Sequence, residues 1–365
     1  MKIAIVHDYI KEYGGAEKVL EELHNLFPKA PIYTTVYLPK FLGPHRERFE
    51  KMDIRPSILQ YIPFKAKLIS PLRLLAIPVF KLWNFSKYDL VIVSATGAYQ
   101  PNLISKGNAK QICYCHTPPR YLYGYSTARN WQKLPVINML AAIANHFLRM
   151  IDFKSAQNVD LFIANSKEIK SRIERFYRKD SLVVYPPVSL SIAQKSSKKE
   201  NFYLAGGRLA RPKRIDVAIQ AANKLKIPLV VFGKGFAGYG KELRKMAGKT
   251  IKFVGEVSEI EKIKLMSQAK AFLFSAEEED FGITPVEVMS VGTPVIAFKS
   301  GGVKESVIEG KTGVFFEKAN SNSLVLAIKK LEKIKINSED CIKQANNFSK
   351  DKFDREIVKI VKKYA

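Results

Sequence analysis

The stretch that decides the fold is residues 271–290, which read AFLFSAEEEDFGITPVEVMS. Its apolar start, residues 271–274, predicts a buried strand, and the loop that follows closes at Glu279. Pro285 predicts a helix that begins near Thr284, because the first helical turn accepts a residue without an amide hydrogen. A strand, a loop and a helix in succession are the repeating unit of a parallel α/β sheet.

The same alternation of short apolar runs and helix-like segments extends along the rest of the chain. The apolar runs are residues 2–7, 90–93, 111–115 and 161–164 in the first half, and 202–206, 229–232, 251–254, 271–274, 294–297 and 313–315 in the second. Between the two series, residues 185–187 and the polar tract Gln194 to Glu200 predict a linker. Since 365 residues exceed one compact core, we predict an α/β protein with two domains, residues 1–188 and 200–346.

The composition indicates a folded cytoplasmic protein. Hydrophobic residues make up 47% of the chain, and there is no long Gly, Ser or Pro tract. The three cysteines, Cys113, Cys115 and Cys341, are an odd number without zinc-ligand spacing, which argues against a disulfide framework. The short apolar start does not have the longer apolar region of a signal peptide, and no charge-free window is long enough for a transmembrane helix.

The net charge of +26 is distributed unevenly. Residues 54–151 hold twelve basic residues against one acid, Asp89, whereas residues 251–300 hold five basic and eight acidic residues. A basic nucleic-acid-binding protein is the rival that the charge raises, but no zinc, RRM or helix-turn-helix pattern supports it. We therefore expect no nucleic-acid partner.

Residues 61–85 are both basic and apolar, with four cations, Lys65, Lys67, Arg73 and Lys81, among many apolar side chains. Such a segment fits a face that lies on anionic lipid, which would make the protein peripheral at the inner face of the cell membrane. The alternative is a buried helical hairpin whose lysines reach solvent. The sequence leaves both interpretations open.

Two stretches in the second half of the chain predict a site for an anionic ligand. The helix that begins near Thr284, preceded by Gly282 and Ile283, presents free amides suited to a diphosphate, and Glu287, one turn along, can accept hydrogen bonds from sugar hydroxyls. A Gly-rich strand end at residues 206–207 precedes two cations, Arg208 and Lys213. Fixed cations of this kind stabilise the charge that builds on a departing diphosphate. Arg211 and Arg214 are interpreted as solvated neighbours.

Glu279 and Glu287, separated by seven residues with Gly and Pro between them, resemble the E-x7-E signature of the family-4 retaining glycosyltransferases. The resemblance implies the GT-B architecture, in which two doubly wound Rossmann-like domains face each other across a cleft, and a final helix, here residues 347–365, that packs back on the first domain. It also implies that Glu279 faces the donor sugar, that Glu287 binds the nucleotide ribose, and that Arg208 and Lys213 stabilise the diphosphate. Arg214 stands where many members of the family have glycine.

The resemblance extends to the first domain and to the nucleotide base. A Gly-rich loop containing Gly14 and Gly15 follows the first strand, as in the family, and implies backbone amides close to the donor. His116, which ends the strand at residues 112–115, is placed at the donor sugar. Recognition of the base in this fold is largely by backbone, which we expect around Val254, and residues 300–305 fit the second glycine loop of the family.

The string at residues 115–123, CHTPPRYLY, is similar to a mannosyltransferase-like subset of the O-antigen and exopolysaccharide type. It implies transfer of a hexose, with mannose from GDP-mannose favoured, to a saccharide or lipid-linked acceptor in cell-surface polysaccharide synthesis. A UDP-sugar-dependent transferase of the same fold is the alternative. No Asp-x-Asp triplet occurs in the donor region, so we expect neither a metal nor a cofactor besides the donor, with Arg208 and Lys213 in place of a divalent ion.

Overall fold

The computed structural model describes residues 1–127, 135–190 and 199–364, with side chains of the helix at 135 described from residue 142 onward. The greater part of the predicted linker, Gln194 to Glu200, lies outside these residues. The chain divides into two compact units. The first contains residues 1–124, 135–187 and 351–364; the second contains residues 125–127, 188–190 and 199–350.

The first unit is built on a sheet of seven parallel strands in the order β3-β2-β1-β4-β5-β6-β7. The strands are β1 (Ile3–His7), β2 (Ile32–Thr34), β3 (Ile54–Pro56), β4 (Leu90–Ala95), β5 (Lys110–Cys115), β6 (Leu161–Ala164) and β7 (Ser181–Val183). The strand order reverses between β1 and β4, and ligands bind in such sheets outside the carboxyl ends of the strands at this switch point.

Helices cover both faces of this sheet, because successive side chains of a buried strand alternate between two cores. The helices are α1 (Gly15–Leu26), α2 (Glu47–Glu50), α3 (Lys65–Leu82), α4 (Pro135–Gln157) and α5 (Lys167–Tyr177). Ile5 packs in one core with α1, while Ala4 and Val6 pack in the other with α3, the end of α4 and α5. The layer formed by α3, α4 and α5 therefore lies on a single face of the sheet.

The second unit has six parallel strands in the order β10-β9-β8-β11-β12-β13. The strands are β8 (Tyr203–Gly206), β9 (Leu229–Phe232), β10 (Ile251–Gly255), β11 (Phe272–Phe274), β12 (Val295–Phe298) and β13 (Gly313–Phe316). The helices are α6 (Ile215–Leu225), α7 (Tyr239–Met246), α8 (Glu259–Gln268), α9 (Ile283–Ser290), α10 (Val303–Ser306), α11 (Ser321–Glu332) and α12 (Ser338–Ala345). Its switch point lies between β8 and β11.

The last helix, α13 (Lys350–Tyr364), belongs to the first unit, where Phe353, Ile357 and Ile360 pack into the core that contains Ile5. Among the helices of residues 1–127, 135–190 and 199–364, none has the length and hydropathy that spanning a bilayer requires.

The predicted fold class, α/β with two doubly wound parallel sheets, is confirmed. The sequence did not predict β2, β3 or β7, because three-residue strands are too short for their alternation to stand out from a loop. The segment at residues 61–85 is not a helical hairpin, since α3 is one helix that follows a 3-10 turn at Ile58–Tyr61.

Candidate active site

The candidate site of the second unit lies where β8 and β11 end, on the two sides of the switch point. β8 runs into the loop that carries Arg208 and Lys213, and β11 runs into the loop that carries Glu279. Because both strands are parallel, these loops leave the sheet at the same edge. The fold therefore places the predicted cations and the predicted carboxylate at the position where open α/β sheets bind ligands.

Lys213 and Glu279 are in direct contact. The Lys213 Nζ atom lies 2.6 Å from Glu279 Oε2, and the two side chains are 27% and 17% exposed. The ammonium group also lies 5.9 Å from the centre of the Phe274 ring. A charge-assisted hydrogen bond of this length fixes both side chains, while their remaining exposure leaves them accessible to a ligand.

Arg208 rests against an aromatic ring of another loop, the one that follows β9. Its guanidinium carbon lies 5.5 Å from the centre of the Phe236 ring. The loops after β8 and β9 pack tightly together, because a Cβ atom on Gly233 would come within 1.8 Å of the Gly207 carbonyl oxygen. Contact with the Phe236 ring thus helps to position the Arg208 side chain, whose planar guanidinium is a group well suited to phosphate oxygens.

The helix predicted near Thr284 begins one residue earlier, at Ile283, with Gly282 as its N-cap. Gly282 has φ 89° and ψ 72°, a left-handed conformation that favours glycine. Because glycine has no side chain, it cannot cap the amides of the first turn. The amino end of α9 therefore presents uncapped amides beside the loop that carries Glu279, as an anion site requires.

Glu287, on α9, faces a lysine that the sequence did not single out. Lys262 Nζ lies 3.5 Å from Glu287 Oε1 and 2.8 Å from Glu259 Oε2. Burial alone would lower the pKa of Lys262, but the carboxylates of Glu287 and Glu259 outweigh it and raise the pKa. Glu287 therefore has a charged partner that orients its carboxylate. The only sequence signal for Lys262 is its spacing of three residues from Glu259 on a helix.

The glycine loop at residues 300–302 holds the backbone of Glu279. The Gly302 amide donates to the Glu279 carbonyl oxygen at 2.7 Å, and the Glu278 amide donates to Ser300 Oγ at 3.1 Å. A Cβ atom on Gly301 would lie 2.2 Å from the Glu279 carbonyl oxygen. Only glycine permits this approach, so the second glycine loop acts on the position of Glu279.

Arg214 corrects one expectation of the sequence analysis. It is not a solvated neighbour, because its Nη1 atom lies 2.6 Å from Glu277 Oε1 and its Nε atom 3.2 Å from Asp216 Oδ1. Its φ of 47° is left-handed, which gives the physical reason why glycine suits this position. Arg211, by contrast, pairs with Glu242 at the surface.

Val254 lies near the end of β10, two strands away from β8 in the sheet order. The carbonyl oxygen of the next residue, Gly255, accepts from the Gly233 amide at 2.6 Å. The structure thus places the residue expected to contact the nucleotide base at the same sheet edge as the other site residues but further from the switch point. Its role stays a prediction.

In the first unit, His116 is the end of a buried hydrogen-bonded chain that the sequence did not predict. Ser94 Oγ lies 2.9 Å from His116 Nε2 and 3.1 Å from His7 Nδ1. Burial lowers the pKa of His116 to about 3, and burial together with the neighbouring His116 lowers the pKa of His7 to about 3. Both rings are therefore neutral at pH 7.

Asp8, which follows β1, is a second buried group missed by the sequence analysis. Its Oδ2 atom accepts from the amides of Thr96, Ala98 and Tyr99 at 3.2 to 3.3 Å. Burial raises its pKa to about 6, against the opposing effect of these hydrogen bonds. The carboxylate holds the loop after β4 at the switch point of the first sheet, and its sequence signal is an acid at a strand end.

Gly14 and Gly15 lie at the amino end of α1, beyond the carboxyl end of β1. Gly14 is the N-cap, and its amide donates to Glu17 Oε2 at 2.9 Å. This amide is thus engaged by the helix's own side chain. The two glycines, like His116, belong to the first unit, whereas Arg208, Lys213, Glu279 and Glu287 belong to the second.

Helix α3 exposes much of its apolar surface. Leu75 and Leu82 are 51% and 81% exposed, and Phe64, just before the helix, is 78% exposed, whereas Leu72 and Ala76 are buried. Lys67 and Lys81 are also exposed. The exposed lysines therefore lie next to apolar side chains that are themselves exposed, an arrangement typical of helices at a membrane interface.

Two family models match the chain, one on each half. Glycosyltransferase Family 4 matches residues 13–192, and Glycosyl transferases group 1 matches residues 190–348. The two matches meet near the boundary between the two series of strands and together cover nearly all of the chain.

Several curated proteins are similar at low identity. Alpha-1,3/1,6-mannosyltransferase ALG2 of Rhizomucor pusillus is 24% identical over 285 residues, 64% of this chain and 61% of that protein. The Uncharacterized glycosyltransferase MJ1178 of Methanocaldococcus jannaschii is 29% identical over 198 residues, 53% of this chain and 54% of that protein. ALG2 of Schizosaccharomyces pombe is 25% identical over 86% of this chain and 70% of its own length. The chain thus spans only about half to two thirds of the first two relatives.

Solved structures share the fold over the whole chain. The lipopolysaccharide outer core galactosyltransferase WaaB in its apo form has a TM-score of 0.71 at 16% identity and covers 100% of both chains. Anabaena Alr3699/HepE in complex with UDP has a TM-score of 0.71 at 18% identity, again over 100% of both chains. Sucrose-phosphate synthase of Thermosynechococcus elongatus has a TM-score of 0.73 at 16% identity, over 100% of this chain and 99% of that one.

Proposed function

We propose that this chain, which belongs to the family-4 glycosyltransferases of the GT-B fold, transfers a hexose from a nucleoside diphosphate sugar to a saccharide or lipid-linked acceptor. The observation that carries the proposal is the 2.6 Å contact between Lys213 and Glu279 at the switch point of the second sheet. A cation, a carboxylate and the uncapped amino end of α9 meet there. This combination suits a ligand with a diphosphate on one side and sugar hydroxyls on the other.

The proposed reaction proceeds with retention of configuration. The bond between the anomeric carbon and the phosphate oxygen breaks, and its electron pair goes to the departing diphosphate. The acceptor hydroxyl forms its bond to the anomeric carbon from the same face, and its proton passes to a diphosphate oxygen. Lys213 and Arg208 stabilise the charge that develops on the diphosphate, and no metal ion is required.

The two glutamates have separate tasks in this proposal. Glu279 accepts hydrogen bonds from hydroxyls of the donor sugar, with its backbone held by Gly302. Glu287 accepts from the ribose hydroxyls, and Lys262 keeps its carboxylate oriented. Each of the two oxygens of a carboxylate can accept a hydrogen bond from one hydroxyl of a pair. Each glutamate would therefore bind one of the two sugar rings of the donor.

His116 is proposed to bind the donor sugar as a neutral imidazole, with Gly14 and Gly15 close to the donor. Ser94 fixes the His116 ring through Nε2 at 2.9 Å, and burial keeps the ring uncharged. A neutral ring can form hydrogen bonds with sugar hydroxyls. Because it carries no positive charge, it does not compete with Lys213 and Arg208 for the diphosphate.

GDP-mannose is the favoured donor in this proposal, because the similar curated proteins include several named mannosyltransferases. A UDP-sugar is the second candidate, motivated by the solved structure of HepE with UDP. Isothermal titration with GDP, UDP and ADP, followed by a transfer assay with the sugar of the tightest nucleotide, separates the candidates. Tightest binding of GDP supports GDP-mannose, tightest binding of UDP supports the second candidate, and binding of none overturns the proposal.

We further propose that the protein acts in the cytoplasm in cell-surface polysaccharide synthesis, held at the inner face of the membrane by α3. The exposed Phe64, Leu75 and Leu82 would enter the lipid interface, and the exposed Lys67 and Lys81 would meet anionic headgroups. Flotation with anionic vesicles at low and high salt tests this. Leu75→Glu should abolish binding, whereas binding at neither salt concentration by the unaltered protein removes the proposal.

A further inference from the structure

Helix α4 exposes an apolar stripe that the sequence analysis did not single out. Ile143, Phe147 and Met150 are 53%, 56% and 50% exposed, at spacings of four and three residues that place them on one side of the helix. Leu148 and Ala156 are buried on the other side. Grouped apolar side chains accompany binding sites more often than scattered ones do, and of these three Met150 also lines a groove.

One flank of this stripe opens into a groove of about 300 Å³. It is lined by Tyr123, His146, Arg149, Met150, Phe153 and Phe176. The rings of Tyr123 and Phe176 stack with their centres 4.1 Å apart. The groove thus combines a stacked aromatic pair, a further ring and a flexible thioether, which adapt well to a hydrocarbon chain.

The charges around the groove select an anionic ligand. The single acid of α4, Asp152, is buried and accepts from the Tyr123 hydroxyl at 2.8 Å. Arg149 lines the groove, and the Arg175 guanidinium lies 5.5 Å from the centre of the Phe176 ring. An apolar groove flanked by two guanidinium groups matches an alkyl or isoprenoid chain that ends in a phosphate.

The groove is joined to the candidate site of the first unit by a short loop. Tyr123 lies seven residues after His116, and Arg149 Nη1 donates to the Leu122 carbonyl oxygen at 3.1 Å. The same loop contacts α3, because the Arg73 guanidinium stacks 4.0 Å from the centre of the Tyr121 ring. The loop that begins at His116 therefore reaches the groove at Tyr123.

We propose that this groove binds the hydrocarbon chain of a lipid-linked acceptor, with Arg149 and Arg175 binding its phosphate. The inference rests on the proposed function and deepens it, since it selects the lipid-linked acceptor over the free saccharide. The occupant is a single amphiphile, distinct from the bilayer surface proposed to bind α3.

The test compares three probes by isothermal titration against the full chain: dodecyl phosphate below its micelle concentration, dodecyl maltoside, and inorganic phosphate. Dodecyl phosphate should bind, dodecyl maltoside should bind more weakly, and inorganic phosphate should not bind measurably. The double variant Met150→Gln, Phe153→Gln should weaken binding of dodecyl phosphate about tenfold, since hydrocarbon contact contributes roughly 0.8 kcal/mol per buried methylene group.

A matched double variant separates the groove from the helix face as a whole. Ile143→Gln, Phe147→Gln removes two apolar side chains of similar exposure from the same helix, outside the groove lining. The dissociation constant of dodecyl phosphate for this variant should stay within about twofold of that for the unaltered protein, well below the tenfold loss expected for the groove variant. Equal loss in both double variants, or binding of inorganic phosphate as tight as that of dodecyl phosphate, would overturn the inference.

A parallel titration of the same preparations with nucleoside diphosphates keeps this inference distinct from the proposed function. Nucleotide binding without dodecyl phosphate binding overturns the groove assignment alone. Dodecyl phosphate binding without nucleotide binding overturns the proposed function and leaves a lipid site on a protein of another activity.

Discussion

The two units of the molecule use positive charge in opposite ways. Around the candidate site of the second unit, Lys213, Lys262 and Arg214 each lie within 3.5 Å of a carboxylate oxygen. In the first unit, residues 54–124 and 135–151 hold ten cations and a single acid, and exposed apolar side chains of α3 and α4 lie in the same stretches. Paired charges in a half-buried site orient groups toward one ligand, whereas an excess of charge beside apolar surface suits anionic lipid.

Four acidic residues of the two units also differ, in that two are paired with cations and two are buried. Glu279 and Glu287 in the second unit face cations. Asp8 and Asp152 in the first unit are buried, and burial raises their pKa values to about 6 and about 7. Glu279 and Glu287 therefore lie opposite cations in a half-buried setting, whereas Asp8 and Asp152 hold loops of their own unit in place.

The largest effect is expected from Lys213→Ala. It removes the cation that stabilises the departing diphosphate, so kcat should fall about 10² to 10³-fold, as for the loss of one transition-state donor. Arg211→Ala is the control, because Arg211 lies two residues away and pairs with Glu242 at the surface. Steady-state kinetics should show near-normal rates for Arg211→Ala. A similar loss in both variants would mean that general positive charge, not the position of Lys213, drives the reaction.

The next largest effect is expected from Gly301→Ala. Its Cβ atom would lie 2.2 Å from the Glu279 carbonyl oxygen, so the loop must move and transfer should fall, with a cost of about 1–3 kcal/mol in the free energy of unfolding. Gly310→Ala is a matched control, because Gly310 has φ 72° against 71° for Gly301 but nothing within 4 Å. Denaturation and transfer assays should show strain in both variants and lost transfer in Gly301→Ala only; unchanged transfer there would contradict the clamp on Glu279.

A smaller effect concerns the buried acid of the first unit, through Asp152→Asn. Burial raises the pKa of Asp152 from 3.8 to about 7, so between these values the folded protein keeps a proton that the unfolded chain has lost. The contribution of Asp152 to stability therefore falls as pH rises, by up to about 1.4 kcal/mol per pH unit. Urea unfolding from pH 5 to 8 should show the variant gaining stability relative to the unaltered protein. A difference that does not change with pH would refute the raised pKa.

The smallest effect is expected from Glu279→Gln, which should act on binding and transfer in opposite directions. Loss of the carboxylate releases Lys213 from its partner, so a nucleoside diphosphate should bind about two- to fivefold more tightly, as expected for a partly exposed ion pair. Transfer should nevertheless fall, since the sugar hydroxyls lose an acceptor. Weaker nucleotide binding would show that Glu279 supports the diphosphate site rather than competing with it.

The sequence predicted the parts of the fold whose signal is local. The apolar runs at residues 161–164 and 229–232 match β6 and β9, because buried parallel strands are continuously apolar, and Pro285 located the start of α9 to within one residue. The three-residue strands β2, β3 and β7 carry no such pattern. They form because neighbouring strands offer hydrogen bonds, which is a property of the assembled sheet.

The candidate site was predictable where one motif carries both residues, and not where partners are far apart in sequence. Glu279 and Glu287 stand out by their spacing, but Lys262 is 25 residues from Glu287, and Ser94 joins His7 to His116 across 87 and 22 residues. The sequence likewise does not predict which apolar side chains of α4 are exposed. Phe147 and Phe162 are the same residue type, but Phe147 is exposed and Phe162 is buried. Contacts that depend on the folded sheet require the structure.

The most direct test of the central claim, that Lys213 and the amino end of α9 bind one diphosphate, is isothermal titration of the unaltered protein and Lys213→Ala with GDP and GMP. The variant should bind GDP about ten- to a hundredfold more weakly, the loss expected for a charge-assisted hydrogen bond, and GMP within about twofold of the unaltered protein. GDP affinity that is unchanged in Lys213→Ala would contradict the account.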